Sequence, residues 1–378
     1  MRDFDIVKVL VVDDSITFRQ ILNRVVSEIP TAECVGVAAS GQIALRKAEA
    51  LQPDLVLLDV MMPEMDGVET LKHLKSSMPF IEAIMISGFN MDNAKATMRS
   101  LALGALDFVP KPVAANMQEG MDVLKGQLER LIQVVQTKKI ARLSRERLER
   151  TKLDFPSSPA PASRPEPAVI RPPVNHISVA RSLSDRVQLV VIGSSTGGPN
   201  ALHQVFSKIT SPLPCPILIV QHMPPMFTLS LAERLDKAGQ TRVKEAENNE
   251  SIKPGWAYIV PGGKHMVLEK NSSGNFLLVE NNQPPVNNCK PSVDVLFLSV
   301  AKVFERRVLS VVMTGMGRDG SEGVRQLKPK GTISLIQDAA TSVVWGMPGS
   351  VFDLGLADEV LSVEDLGPRI QELASYQV

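Results

Sequence analysis

The sequence predicts an α/β protein of two doubly wound parallel-sheet domains joined by a helical, Pro-rich linker. Three observations carry this expectation. Short apolar runs alternate with amphipathic helical patterns in residues 1–125 and again from residue 186 to the C-terminus. Polar residues suited to chemistry fall directly after the apolar runs, at the carboxyl edge where parallel sheets place their sites. Between the two regions, residues 155–173 are rich in Pro, Ala and Ser, the composition of an extended linker.

In the first region, residues 7–12, 33–38, 55–58, 83–86 and 106–109 read as five buried strands. Helical patterns lie between them at 16–28, 41–51, 67–76 and 93–103. A charged helical stretch follows at about 118–153, with Leu124, Leu128, Leu131, Val134 and Val135 on an apolar stripe. The stripe fades into the basic run 138–150, read as a solvated helix face. The expected division is therefore a first domain at 1–125, a linker at 126–185 and a second domain at 186–378. Strands in the second domain are expected at 189–192, 217–220, 256–260, 309–313 and 332–337.

Composition narrows the function classes. Lys+Arg and Asp+Glu balance at 41 each, which gives no support for a nucleic-acid binder or a membrane-surface protein. No apolar run approaches the ~18 residues of a membrane span, and the N-terminus does not read as a signal peptide. A cytoplasmic protein is expected. Cys34, Cys215 and Cys289 are odd in number and scattered without metal-ligand spacing, so they read as buried or free thiols.

The strand ends of the first domain gather charge. Asp13 and Asp14 close the first strand, Asp59 the third, Ser87 the fourth and Lys111 the fifth. Three carboxylates in one place cannot all stay ionised without partners. A hard divalent cation such as Mg²⁺ resolves the conflict, with a lysine ammonium completing the balance. The competing reading is a set of helix caps, with Asp13 or Asp14 capping the helix that begins near Ser15. This constellation resembles the receiver domain of two-component response regulators, which implies a flavodoxin-like fold. The resemblance implies Asp59 as phosphoacceptor, and Asp13, Asp14, Asp59 and the Met61 carbonyl as Mg²⁺ ligands. It further implies Ser87 as the hydroxyl that contacts the phosphoryl group, Lys111 as the family's invariant-type lysine and Phe108 as an aromatic switch.

In the second domain, Gly193-Ser194-Ser195-Thr196-Gly197-Gly198 turns sharply from strand to helix. Such a turn can raise a serine nucleophile above a sheet or cradle an anion at a helix N-terminus. A nucleophile needs a base and an orienting acid. His222 follows the strand 217–220, and Asp319 lies in the Gly-rich loop after 309–313. The plainer alternative for Asp319 is a cap on the following helix, and Asp294 reads as a first-turn acid. His203 is expected to point away, whereas His265 is open between a substrate and a structural role.

These motifs, with Gln221-His222-Met223-Pro224-Pro225, Pro284-Pro285-Val286-Asn287, Pro291-Ser292-Val293-Asp294 and Thr314-Gly315-Met316-Gly317-Arg318-Asp319-Gly320, resemble the chemotaxis protein-glutamate methylesterases, the CheB family. The resemblance implies a Rossmann-like catalytic domain with Ser195 as nucleophile, His222 as base and Asp319 as orienter. Thr196 and Met316 would line the oxyanion region. It also implies phosphorylation-regulated hydrolysis of glutamate γ-methyl esters, and glutamine deamidation, on chemoreceptors. A chemotaxis histidine kinase is the expected phosphodonor, and no cofactor is expected in the esterase domain. Ser194 departs from the alanine common in that family and places a second hydroxyl beside Ser195. Two other readings stay open: a receiver with a non-catalytic binding output domain, and a hydrolase of small esters.

Overall fold

The computed structural model describes residues 6–112, 117–153, 187–305 and 307–375. The Pro-rich stretch 155–173 and the boundary near 185 lie outside them. The chain forms two compact units, each with its own parallel sheet.

Along the chain that builds the first sheet, the elements are β1 (Val7–Val12), α1 (Ile16–Ser27), β2 (Ala32–Ala38), α2 (Gly41–Leu51), β3 (Leu55–Asp59), α3 (Gly67–Ser77), β4 (Glu82–Ser87), α4 (Met91–Ala102) and β5 (Asp107–Pro110). The strands lie in the order β2-β1-β3-β4-β5, all parallel. This is the flavodoxin-like order, in which the first strand sits at the switch point beside the third. All five residues of β3 are buried, as a strand covered on both faces requires.

α5 (Met117–Leu153) is a single helix of 37 residues. Its stripe of Leu124, Leu128, Leu131, Ile132 and Val135 is buried well past residue 125. The basic run that was expected to be solvated is in fact partly paired. Lys139 Nζ donates to Ile6 O and Asp54 Oδ2, both at 2.7 Å, and Lys138 pairs with Glu82 at 2.9 Å. Arg142 lies over the Phe80 ring at 5.5 Å. The expected boundary at 125 therefore falls inside this helix, and residues through Arg142 pack with the first unit. Acids beside the first sheet select this packing, and they are far from α5 in sequence.

The second unit contains β6 (Leu189–Ser194), α6 (Gly198–Lys208), β7 (Ile217–Gln221), α7 (Phe227–Asp236), β8 (Arg242–Glu245), β9 (Glu250–Ser251), β10 (Trp256–Ile259), β11 (His265–Lys270) and β12 (Phe276–Asn281). It continues with α8 (Val293–Val303), β13 (Val308–Val312), α9 (Ser321–Leu327), β14 (Ile333–Gln337), α10 (Met347–Asp353), β15 (Glu359–Leu361) and α11 (Val363–Ser375). Seven parallel strands run β15-β14-β13-β6-β7-β10-β8. From β6 the chain passes to β7, then to the edge strand β8 and back to β10 between them, and crosses to the other side of β6 for β13, β14 and β15. The topological switch point is thus the carboxyl end of β6, the place an open α/β sheet offers a ligand.

Two edge strands, β8 and β15, and an antiparallel ribbon of β9, β11 and β12 add to the five strands expected. β8 reads Arg-Val-Lys-Glu and is only partly buried, so it carries no continuous apolar run to betray it. The central strands β6, β7 and β13 are buried throughout. Each such aliphatic side chain contributes about 1.5–3 kcal/mol, enough to fix the register that sets the loops.

Candidate active site

Register brings the acidic residues of the first unit together. Val12 pairs with Leu58 and Asp59 with Ile86, so Asp13, Asp59 and Ser87 follow at neighbouring strand ends. Asp13 and Asp59 are buried, Asp14 is exposed, and their carboxylate oxygens come within 4.8 Å of one another. Lys111 Nζ reaches Asp13 Oδ2 at 2.8 Å and Asp59 Oδ2 at 2.9 Å, and stands over the Phe18 ring. The cap on α1 is Ser15, while Asp13 Oδ1 accepts the Ser15 N–H at 2.8 Å. The acid pair is therefore not merely a helix cap.

One ammonium faces three carboxylates, and Asp59 registers the excess. Burial pushes its carboxyl up to about 6, and the Asp13 charge adds to this against Lys111 and the Met61 N–H. Hard carboxylate oxygens with an uncompensated negative charge fit a divalent cation such as Mg²⁺. Ser87 and Phe108 are both buried, Ser87 at the carboxyl end of β4 and Phe108 within β5 opposite Met85. Met61 is exposed, and its N–H faces Asp59.

The second unit repeats the logic at the end of β6. Ser194 pairs with Gln221 and Gly193 with Val312, so Ser195, His222 and Thr314 lie level on adjacent strand ends. Gly197 adopts φ 76° to start α6, a conformation that favours glycine. Gly315 lets the next loop approach: a Cβ there would stand 2.8 Å from Ser195 Cβ and 2.3 Å from Met347 Sδ. The Ser195 N–H donates to Thr314 O at 3.0 Å, and Thr314 Oγ1 donates to Thr196 O at 2.9 Å. These bonds tie the Ser195 turn to the loop that carries Asp319.

Asp319 is buried and accepts from five donors. Oδ2 faces His222 Nε2 at 2.8 Å and the Val293 N–H at 2.6 Å. Oδ1 accepts from Asn287 Nδ2 and Ser292 Oγ, both at 2.8 Å, and from the Asp294 N–H at 3.1 Å. Two of these donors are the free N–H groups of the α8 N-terminus, where the helix dipole favours an anion. Burial alone would raise this carboxyl, yet the bond and charge of His222, with Asn287 and the Val293 N–H, hold it well below the usual carboxylate range.

A helix cap was the plainer alternative for Asp319, but Asp294 takes that role. Its Oδ1 accepts the Gly320 and Gly323 N–H groups at the start of α9, at 2.9 and 2.8 Å. Asp294 belongs to the first turn of α8, as expected, and caps a different helix. Burial, with the Asp319 charge, pushes it up to about 6.

Because Nε2 of His222 faces a carboxylate, Nδ1 is the nitrogen left to take a proton. Burial would lower the imidazole, but hydrogen bonds to Asp319 and Cys289 carry it up to about 9. Nδ1 faces the Cys289 sulfur at 3.4 Å. Among the described residues no hydrogen bond joins Ser195 Oγ to His222. The structure thus unites His222 with Asp319, places Ser195 on the neighbouring strand end, and sets an unforeseen thiol against His222 Nδ1. Thr196 and Met316 are half-buried in the two loops flanking Ser195.

The second hydroxyl of the turn, that of Ser194, is already engaged. Ser194 is fully buried, and its Oγ donates to Gln221 Oε1 at 2.7 Å. Gln221 Nε2 donates in turn to Ser195 O at 2.8 Å, locking the turn. Gln221 was legible as a polar residue closing an apolar strand next to the candidate base. His265 proves structural: Nδ1 accepts the Ser292 N–H at 3.2 Å, and Nε2 donates to Pro284 O at 3.1 Å. Asn287 and Ser292 stood in motifs that carry the resemblance without an assigned role, and Cys289 read only as a buried or free thiol; their partners Asp319 and His222 lie 27 to 67 residues away along the chain.

Fold and site together define a response-regulator receiver joined to an α/β unit whose strand ends carry serine, histidine and aspartate. Comparison with known proteins agrees. Residues 9–121 match the response regulator receiver domain and residues 190–370 match the CheB methylesterase. The chain is 41% identical to a protein-glutamate methylesterase/protein-glutamine glutaminase of Maricaulis maris, over 97% of this chain and 95% of that protein. It is 43% identical to one of Desulfotalea psychrophila, over 96% and 97% respectively. A crystal structure of the Thermotoga maritima CheB methylesterase catalytic domain aligns with a TM-score of 0.48 at 41% identity, covering 50% of this chain and 98% of that one. The chain belongs to the family of protein-glutamate methylesterases/protein-glutamine glutaminases.

Proposed function

We propose that this chain hydrolyses glutamate γ-methyl esters of chemoreceptors, and deamidates glutamine there, under control of phosphorylation at Asp59. The observation that carries the reading is the pair of half-buried His222 and buried Asp319, level with Ser195 at the switch point of the sheet.

In this reading Ser195 Oγ attacks the ester carbonyl while His222 Nδ1 takes its proton. Asp319 holds Nε2 as a donor and supports the imidazolium. The developing oxyanion meets backbone N–H groups at the Thr196 turn, each worth about 2.7–4 kcal/mol in comparable sites. His222 then returns the proton to the departing methoxide, and methanol leaves. Water, deprotonated by the same nitrogen, hydrolyses the acyl-enzyme to glutamate. A primary amide follows the same course and releases ammonia. Met316 lines the cleft beside Ser195. The bond between Ser195 and His222 forms as substrate enters, as catalytic contacts commonly tighten only in the complex.

In the receiver unit Asp59 is the phosphoacceptor. Asp13, Asp14, Asp59 and the Met61 carbonyl would hold Mg²⁺, which supplies charge neutralisation for the incoming phosphoryl group. Lys111 and Ser87 contact that group, and Phe108 is the aromatic that follows Ser87. A chemotaxis histidine kinase is the phosphodonor in this reading, and the setting is the cytoplasm. Among the described residues no helix is long and apolar enough to cross a membrane.

The test is methanol release from methylated receptor by the wild type and by Ser195→Ala, each with and without a phosphoryl mimic plus Mg²⁺. Release that needs Ser195 and accelerates with the mimic is expected. Full activity of Ser195→Ala overturns the catalytic assignment, and equal rates with and without the mimic overturn the coupling.

A further inference from the structure

We propose that Cys289 is a modification site for hydroperoxides, and that its oxidation silences the base His222. The proposal rests on His222 acting as the base. Three observations place the reaction. The sulfur lies 3.4 Å from Nδ1, the only ring nitrogen not already engaged by Asp319. Cys289 is only partly buried, unlike the fully buried Cys215, which leaves the residue some solvent access. Its turn is anchored at the site: Val286 and Cys289 exchange backbone hydrogen bonds at 2.9 and 3.1 Å, and Asn287 between them donates to both Asp319 and Asp294.

The other two thiols provide an internal comparison. Burial raises Cys34, whose sulfur donates to Gly36 O at 3.3 Å, with no base in contact. Cys215 is 2% exposed and pushed up to about 12 by burial. Reactive cysteines sit beside a basic or cationic partner with solvent access, and Cys289 alone of the three meets both conditions.

The chemistry balances as follows. His222 Nδ1 takes the thiol proton as the sulfur attacks the near oxygen of the peroxide. The S–O bond forms and the O–O bond breaks. The departing hydroxide or alkoxide receives the proton from Nδ1 and leaves as water or alcohol. Sulfur is oxidised by two electrons to a sulfenic acid, and the two peroxide oxygens are reduced by one electron each. The added hydroxyl then lies between sulfur and Nδ1, where it hydrogen-bonds the ring and bars Ser195. Two equivalents of a small thiol restore Cys289, releasing water and a disulfide.

Labelling of the folded full-length protein with iodoacetamide, quantified for each cysteine by mass spectrometry, tests reactivity without any esterase assay. Cys289 should label at least about tenfold faster than Cys34 and Cys215, and His222→Gln should slow Cys289 by about tenfold. Ser195→Ala should label at the wild-type rate whether or not Ser195 is the nucleophile, so failure of the esterase reading stays separate. Equal labelling of Cys289 and Cys34 in the wild type, a comparison that needs no variant, overturns the proposal. So does an unchanged rate in folded His222→Gln.

Hydrogen peroxide should next remove more than about nine-tenths of methanol release, and dithiothreitol should restore it. Oxidation of Met316 or Met347 would resist dithiothreitol. Loss that dithiothreitol does not reverse, or equal fractional loss in Cys289→Ser, overturns the link to His222.

Discussion

Replacing Asp319 by Asn tests the core of the site, because the carboxylate has five donors and an amide can serve only some of them. If the new NH₂ group lies at the Oδ1 position, it opposes the Asp294 N–H and the Asn287 amide, while the Ser292 hydroxyl rotates to accept. If it lies at Oδ2, it opposes the Val293 N–H and forces Nε2 of His222 to become an acceptor. The first orientation leaves two opposed donors at ~1–3 kcal/mol each, so about 2–6 kcal/mol of stability is lost. The second leaves one opposed donor and moves the proton to Nδ1, which removes the base. An analogous change of triad aspartate to asparagine lowers kcat by about 10⁴, and the same order is expected here. Methanol release gives the rate. Stability is read by urea unfolding followed by tryptophan fluorescence, since both tryptophans, Trp256 and Trp345, lie in the second unit. Asp294→Asn is the control: Oδ1 remains an acceptor for Gly320 and Gly323, and activity should stay within about tenfold. An Asp319→Asn protein that keeps more than about a tenth of the wild-type rate with an unchanged urea midpoint refutes the assignment.

Ser194→Ala should remain an active enzyme, within about tenfold, and lose about 1–3 kcal/mol because Gln221 Oε1 loses its donor; inactivity equal to that of Ser195→Ala would contradict the division of roles. The rate of methanol release should climb with pH through the His222 value of about 9, since only the unprotonated ring accepts a proton. The stability contribution runs the other way: a raised folded value stabilises below the ordinary 6.5 and is lost as pH rises through about 9, visible as a falling urea midpoint. A flat pH–rate profile between 7 and about 9 would count against His222 as base. A chain ended after residue 125 should unfold more readily than one ended after residue 143, by several kcal/mol, because it lacks Leu128, Leu131, Ile132 and Val135. Equal thermal midpoints for the two would return residues 126–142 to the linker.

Much of the site was legible because parallel sheets place chemistry at strand ends, and strand ends can be read from apolar runs. Asp59 after β3, Ser195 after β6 and His222 after β7 were found in this way. The roles of the two acids were less accessible. Asp319 and Asp294 each precede or open a helix, and local spacing fits a cap for either. Only the meeting of the α8 and α9 N-termini gives Asp319 to His222 and Asp294 to the α9 backbone. The basic run of α5 looked solvated because its partners, Asp54 and Glu82, belong to the other face of the same contact.

The sequence by itself determined the two parallel sheets, their order along the chain and the residues that crown their strands, because hydrophobic periodicity and Gly-rich turns are local. Tertiary structure decided which crowned residues meet. The winding of the second sheet to both sides of β6 brings together loops from positions near 195, 222, 289 and 319. No local pattern encodes such a meeting, since it follows from the strand order that buries the most apolar surface. The thiol of Cys289 against His222 Nδ1 is its plainest product.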